Sequence, residues 1–311
     1  MQLYLSERNL ISVEIDADNI LIAYRTREIF TTHSLIGITH LVIPNNRLVA
    51  LPELPNTIKM LSCSFNQLQT LPKLPNSLIT LECDANQLLS LPELPNTLEQ
   101  LRCHHNQLES LPTLPLSLKL LWCSHNPLIS LPNLPESLRN VECYFNGLTT
   151  LPKLPKSLII LRCSYNTMVT LPKLPKKLKA LECSYNNLQA LPKLPKSLKS
   201  LICDHNDLKR IEKLPRTLSN LICRKNPLVF IRPLPKRPYE YILPKQLRFS
   251  QSEGNYETYY KRYQTYKYLV SFLALELKIF TVLFNEHFWF PPKCAFPCAE
   301  DEDENESTEE D

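Results

Sequence analysis

Glycine is nearly missing from this chain: three residues in 311, at Gly37, Gly147 and Gly254. No glycine-rich loop can be drawn around a phosphate, which excludes the usual nucleotide sites. A membrane-spanning run is missing too, because the apolar stretch from Leu269 to Phe284 is short and interrupted by Glu276 and Lys278. The N-terminus, Met1-Gln2-Leu3-Tyr4-Leu5-Ser6-Glu7-Arg8, has no signal-peptide pattern. The expected location is intracellular, in the cytoplasm.

What the chain has is repetition. From Ile38 to Leu228 one twenty-residue sentence recurs ten times without insertion or deletion, and from Leu78 it reads Leu-x-x-Leu-x-Cys-x-x-Asn-x-Leu-x-x-Leu-Pro-x-Leu-Pro-x-Ser. Its asparagine returns every twenty residues from Asn46 to Asn226, and its cysteine from Cys63 to Cys223. A fixed period of this length means stacked units. Around Leu81-Glu82-Cys83-Asp84 apolar and polar residues alternate, as in a strand with one buried face. Leu78, Leu81, Cys83, Leu88, Leu91 and Leu94 are too few for a core until the next unit covers them. Asn86 should end the strand pointing inward, its amide bonding backbone groups that the turning chain leaves unpaired. Paired prolines, as in Leu91-Pro92-Glu93-Leu94-Pro95, forbid a regular helix on the return path and favour an extended one.

The motif resembles the leucine-rich repeat, and its Leu-Pro-x-Leu-Pro variant is similar to the bacterial effector type of the YopM and IpaH proteins. Similar arrays occur among giant viruses of amoebae. The resemblance implies a curved solenoid with a concave parallel sheet, an extended convex side, and the habit of binding proteins on the sheet. The ubiquitin ligase carried by the IpaH type does not transfer, because only about 80 residues follow the repeats and Cys294 and Cys298 lack its Cys-x-Asp motif.

The expected organisation is a β-rich N-terminal cap over 1–37 and the ten-repeat solenoid over 38–230. A decaying repeat or linker follows over 231–249, then a helical cap over 250–290 and a disordered acidic tail over 291–311. Ser250 and Glu253 are spaced as a capping box, and Tyr256, Tyr259, Tyr260, Tyr263 and Val270 share one helical face. Nine of the eleven cysteines hold one inward position and should be reduced, structural thiols.

Function should be written in the outward columns of the sheet. The column between leucine and cysteine holds Arg102, Trp122, Glu142, Arg162 and Glu182; the one after cysteine holds Asp84, His104, Ser124 and Tyr144; the next holds His105, His125, Tyr165 and Tyr185. Tryptophan, tyrosine and arginine are the side chains that dominate interface energetics. Trp122, with no evident packing partner, is read as an anchor, and the centre of the sheet as the binding face. The third column could instead pack beside the asparagines.

Charge supports a rival. The formal net charge is +4, and with nine acidic residues between Glu300 and Asp311 the preceding chain carries +13. Lysines concentrate at Lys153, Lys156, Lys173, Lys176, Lys177, Lys179, Lys193, Lys196 and Lys199, with Lys213 and Arg216 beyond them, all assigned to the proline-rich outer segment. Such a ridge suits nucleic acid or an anionic surface. Nucleic acid is disfavoured because the aromatics that could stack on bases lie on the other face.

Two further arrangements in these columns have a chemical look. Asp84, His104 and Ser124 stand acid, base and nucleophile on successive strands about 4.8 Å apart. An open sheet offers no evident oxyanion hole, so catalysis is not expected. His104, His105 and His125 lie close together without a carboxylate or thiolate to complete a metal set, and Cys294-x3-Cys298 lacks a second pair. The expectation is a non-enzymatic module without cofactor or small-molecule substrate, binding a partner protein, plausibly of a eukaryotic host.

Overall fold

The computed structural model describes residues 35, 37–211 and 213–228, and the backbone strands 12–15, 20–24, 230–231 and 240–242. The chain divides into two units, 1–254 and 255–311, and every described residue lies in the first. The expected helix over 250–290, the acidic tail and Cys294 and Cys298 fall outside the described residues.

Fifteen strands run in chain order among the described residues. They are β1 (Ser12–Ile15), β2 (Ile20–Tyr24), β3 (His40–Val42), β4 (Met60–Ser62), β5 (Thr80–Glu82), β6 (Gln100–Arg102), β7 (Leu120–Trp122) and β8 (Asn140–Glu142). Then come β9 (Ile160–Arg162), β10 (Ala180–Glu182), β11 (Ser200–Ile202), β12 (Arg210–Ile211), β13 (Asn220–Ile222), β14 (Phe230–Ile231) and β15 (Glu240–Ile242). One sheet takes β1 to β11, β13 and β15 in sequence order. β1 and β2 pair antiparallel, and every later pair is parallel with a twenty-residue register, Leu101 facing Leu121 and Arg102 facing Trp122. The sheet continues through β15, inside the stretch expected to be a decaying linker.

The interior is the predicted one. In the repeat from Leu78, that leucine, Leu81, Cys83 and Leu88 are fully buried, and the same positions stay buried along the stack. Each buried leucine contributes roughly 1.5–3 kcal/mol relative to an exposed one. Five leucines and a cysteine cannot offset the ordering of twenty residues, so only the stack is stable.

No α-helix occurs among the described residues. Each return path closes in a turn, as where the Leu78 N–H donates to the Pro75 carbonyl at 3.1 Å. The hydroxyl ending the sentence donates back one repeat, Ser117 to the Leu98 carbonyl and Ser137 to that of Leu118, both at 2.6 Å. Proline explains where a second sheet can form. Most repeats place Pro directly after the first leucine of the return path, whereas the chain reads Ile211-Glu212 and Ile231-Arg232 in the last two. With backbone N–H groups restored there, β12 and β14 pair in parallel.

The asparagine ladder is fully formed. Asn126 Oδ1 accepts from the Leu108 N–H of the preceding repeat at 3.1 Å, and its Nδ2 donates to the carbonyls of Cys103 and Cys123 at 3.0 and 3.1 Å. The residue before each asparagine turns through left-handed backbone, with φ of 51° at His105, 54° at His125 and 55° at Tyr165. That geometry costs a side-chain-bearing residue about 1 kcal/mol or more.

Candidate protein-binding face

Strand pairing puts Glu82, Arg102, Trp122, Glu142, Arg162 and Glu182 side by side on six neighbouring strands. Charge alternation couples them. Arg102 meets Glu82 and Asp84, each at 3.3 Å, while Arg162 sits between Glu142 at 2.7 Å and Glu182 at 3.0 Å. Glu142 is 8% exposed, and burial raises its pKa against the pull of Arg162.

Trp122 is less isolated than the sequence suggests. The Arg102 guanidinium lies 4.6 Å over its ring and His104 stacks beside it at 5.8 Å. Strand spacing brings these groups together, since position 102 is directly opposite 122 and His104 is two residues along the same strand path as Arg102. The indole Nε1 is buried without a hydrogen-bond partner among the described residues. Tyr144 closes the cluster, its ring 6.2 Å from that of His104. Arg102, His104, Trp122 and Tyr144 are therefore one contiguous set of partly buried side chains.

The column after cysteine has an unforeseen task. Its serine, aspartate and histidine side chains accept a hydrogen bond from the backbone N–H one repeat later. Asp84 takes the N–H of His104 at 2.9 Å, His104 Nδ1 that of Ser124 at 3.1 Å, and Ser124 Oγ that of Tyr144 at 3.2 Å. Farther along, Ser164, Ser184 and Asp204 do the same. Asp84, His104 and Ser124 thus spend their acceptors on backbone, and Ser124 is fully buried. Burial pushes Asp84 up to about 6 against Arg102, and burial with Arg102 brings His104 down to about 3. The signal was present in the sequence, because Ser, Asp and His at this position are all short acceptors.

His105, His125, Tyr165 and Tyr185 belong to a different row. With Phe145 and His205 they form a continuous ring stack along the edge of the sheet. Its successive centroid distances are 3.9, 4.4, 3.9, 4.2 and 4.0 Å. The stack repays the left-handed backbone that carries it. Face-to-face packing at 3.9 Å is not how two imidazoles converge on a metal, and no group of three metal-ligating side chains occurs among the described residues.

A further outward column goes unread in the sequence: Gln100, Leu120, Asn140 and Ile160 lie on the same face as Arg102 and Trp122, two residues earlier. The basic ridge needs one correction. Lys153, Lys156, Lys173, Lys176, Lys177, Lys193 and Lys196 are exposed on the proline-rich segment, as are Lys213 and Arg216. Lys179 and Lys199, exposed as well, lie past that segment, one residue before β10 and β11, where the Lys199 N–H donates to the Lys179 carbonyl at 2.8 Å.

This solenoid matches solved structures. YopM from Yersinia enterocolitica WA-314 is 34% identical, with a TM-score of 0.58, over 67% of this chain and 51% of that one. YopM from Yersinia pestis, a leucine-rich effector protein, is 33% identical, with a TM-score of 0.57, over 67% of this chain and 69% of that one. The chain belongs to the leucine-rich-repeat family. It spans about half the length of the Y. enterocolitica protein. The functional domain of InlJ from Listeria monocytogenes, which includes a cysteine ladder, shares the fold at 22% identity and a TM-score of 0.52, over 68% of this chain and 62% of that one. No protein-family model and no curated sequence matches. This leucine-rich-repeat protein carries its own column of nine free, buried cysteines, Cys63 to Cys223. Among the described residues no helix is long and apolar enough to cross a membrane.

Proposed function

We propose that this leucine-rich-repeat protein binds a partner protein on its concave sheet, without catalysing a reaction, and that the contact centres on Arg102, Trp122, His104 and Tyr144. The observation that carries this is the pre-ordering of large interface-type side chains at mid-sheet: Trp122 is packed against the Arg102 cation and the His104 ring. Immobilised side chains lose little entropy on binding, and the flanking ladder of Glu142, Arg162 and Glu182 offers alternating charge for register. YopM of Y. pestis is a leucine-rich effector protein, which favours a host-cell protein as partner and the cytoplasm of a host cell as the place of action.

An affinity capture from nuclease-treated eukaryotic lysate tests this, comparing wild type with Trp122→Ala, Tyr144→Ala. A protein held by the first and lost by the second supports the concave face. An unchanged bound set removes it.

A second reading has its own observation. None of the ridge lysines Lys153, Lys156, Lys173, Lys176, Lys177, Lys193 and Lys196 makes a side-chain ion pair among the described residues. Nucleic acid or an anionic surface would engage them, and charge reversal at Lys173, Lys176 and Lys177 would abolish that binding while sparing the concave contact.

A further inference from the structure

The ring stack has a missing rung. Phe65 occupies the same position in an earlier repeat with the same left-handed backbone, φ 59°, but between it and His105 stands Ala85, φ 51°. The backbone does not skip. Phe65 N–H donates to the Asp84 carbonyl and Ala85 N–H to that of His104, both at 2.8 Å, so the rung is present and only the ring is absent. Filled rungs stand 3.9 to 4.4 Å apart. Twice that spacing leaves about 8 Å between the flanking rings, room for one planar ring with carbon contacts of about 3.5–4.0 Å on each face. Phe65 is 47% exposed, more than the stacked Phe145 at 37%, Tyr165 at 39% or Tyr185 at 40%, as a ring without a neighbour should be.

A second observation marks the same place. The exposed position two residues beyond each rung is glutamine in three consecutive repeats, Gln67, Gln87 and Gln107, and Pro127, Gly147, Thr167, Asn187, Asp207 and Pro227 afterwards. Long amides thus hold this position in the three repeats that carry Phe65, Ala85 and His105 and in no later one. Their backbones are in register, each N–H donating one repeat back, to Leu48, Leu68 and Leu88. A primary amide offers a donor and an acceptor together, the complement of a peptide group.

We propose that the gap over Ala85 is a ring-binding slot, taking one aromatic side chain of a bound polypeptide between Phe65 and His105 while Gln67, Gln87 and Gln107 hydrogen-bond its backbone. The rim argues against a nucleotide. Arg102 is committed to Glu82 and Asp84, Lys73 stands on the proline-rich segment and Lys59 at the opposite end of the strand, so a phosphate would meet amides and carboxylates. The slot shares no residue with the Trp122 cluster, although His125, which stacks on its His105 wall, also meets the Tyr144 ring at 5.4 Å.

Ligand-observed NMR of the full chain with the capped peptide acetyl-Gly-Trp-Gly-amide tests the slot, with acetyl-Gly-Leu-Gly-amide and adenosine monophosphate as comparisons. The tryptophan peptide should bind with a Kd of about 1 mM, as expected for so small a ligand in a shallow site. Ala85→Tyr, which supplies the missing rung, should weaken it at least about tenfold by occupying the same space, and Ala85→Ser should leave it unchanged. Phe65→Ala, which removes one wall, should also weaken it and covers the case that Ala85→Tyr does not fold. Trp122→Ala, Tyr144→Ala should bind like wild type, so loss of the concave contact and loss of the slot are told apart. Binding that survives both Ala85→Tyr and Phe65→Ala, equal binding of the leucine peptide, or tighter binding of adenosine monophosphate would overturn the proposal.

Discussion

Nδ1 of His104 accepts the backbone N–H of Ser124 at 3.1 Å, and that bond fixes what the histidine is for. An acceptor must be unprotonated, so His104 is useful to the fold only as neutral imidazole. Burial enforces the same state by holding the group down to about 3.

A pH dependence follows from that depression. The unfolded chain takes up a proton near pH 6.5 while folded His104 does not until about 3, so stability is full above 6.5 and falls as the pH drops toward 3. His125, lowered by burial to about 4, and His105 and His205, lowered for the same reason, act in the same direction. Asp84 opposes them: raised to about 6, it favours the fold below about pH 3.9 and loses that contribution as pH rises through 6. Glu142 and Asp204, both raised by burial, act with Asp84, but the depressions at His104 and His125 are the larger shifts and decide the sign. The thermal midpoint should fall between pH 7 and pH 4.5, and a flat or rising midpoint would contradict this account. His104→Asn keeps an acceptor without a titrating group and should shrink the drop at little cost near pH 7.

The asparagine ladder should be costly to interrupt. Asn126→Ala removes the acceptor for Leu108 N–H and the donor shared by the carbonyls of Cys103, Cys123 and Ser124, all within the buried interior. Leaving buried polar groups unpaired costs about 1–3 kcal/mol each, so a loss of at least about 2 kcal/mol in urea unfolding is expected. Asn146→Ala should cost less, because Asn146 is only half-buried and its bond to Leu128 N–H is longer, at 3.3 Å.

Much of this was legible in the chain. The twenty-residue period places a strand around Leu81-Glu82-Cys83-Asp84, where the structure has Thr80–Glu82, and it gives the inward Leu81, Cys83 and Asn86, because each follows from alternation or from a backbone group needing a partner. Trp122 was readable as exposed but not as clamped, since Arg102 and His104 reach it only after the register of neighbouring strands is known. The row of His105, His125, Phe145, Tyr165 and Tyr185 was obscured for another reason. A left-handed backbone breaks the period of two, so alternation cannot say where a residue at that position points. Lys179 and Lys199 lie just past the proline-rich segment because the backbone hydrogen bonds between repeats already reach them one residue before β10 and β11.

The cysteine column should be inert in the folded protein. All nine thiols from Cys63 to Cys223 are buried, and burial pushes Cys143 and Cys183 up to about 12 and Cys83 well above its usual range. The thiolate is the nucleophile, so iodoacetamide at pH 8 should label at most two of the eleven cysteines before unfolding and all of them in denaturant. Rapid native labelling of more than two would mean that the stack opens.

Arg162 is the single cation between Glu142 and Glu182, and its removal should produce a deficit that depends on pH. In Arg162→Met the Glu142 carboxyl keeps its burial and loses its compensation, so its folded pKa climbs further above the unfolded value. A raised carboxyl favours the fold below its unfolded pKa and loses that contribution as pH rises through the folded one. Relative to wild type the variant should therefore be nearly neutral at about pH 4.5 and lose about 1–2 kcal/mol at pH 7.5, a modest figure because the Arg162 side chain is 41% exposed and partly screened. Urea midpoints of both proteins at the two pH values measure the difference, in which the histidine contributions largely cancel. An equal deficit at both would mean that Arg162 matters for its packed aliphatic stem and not for its charge.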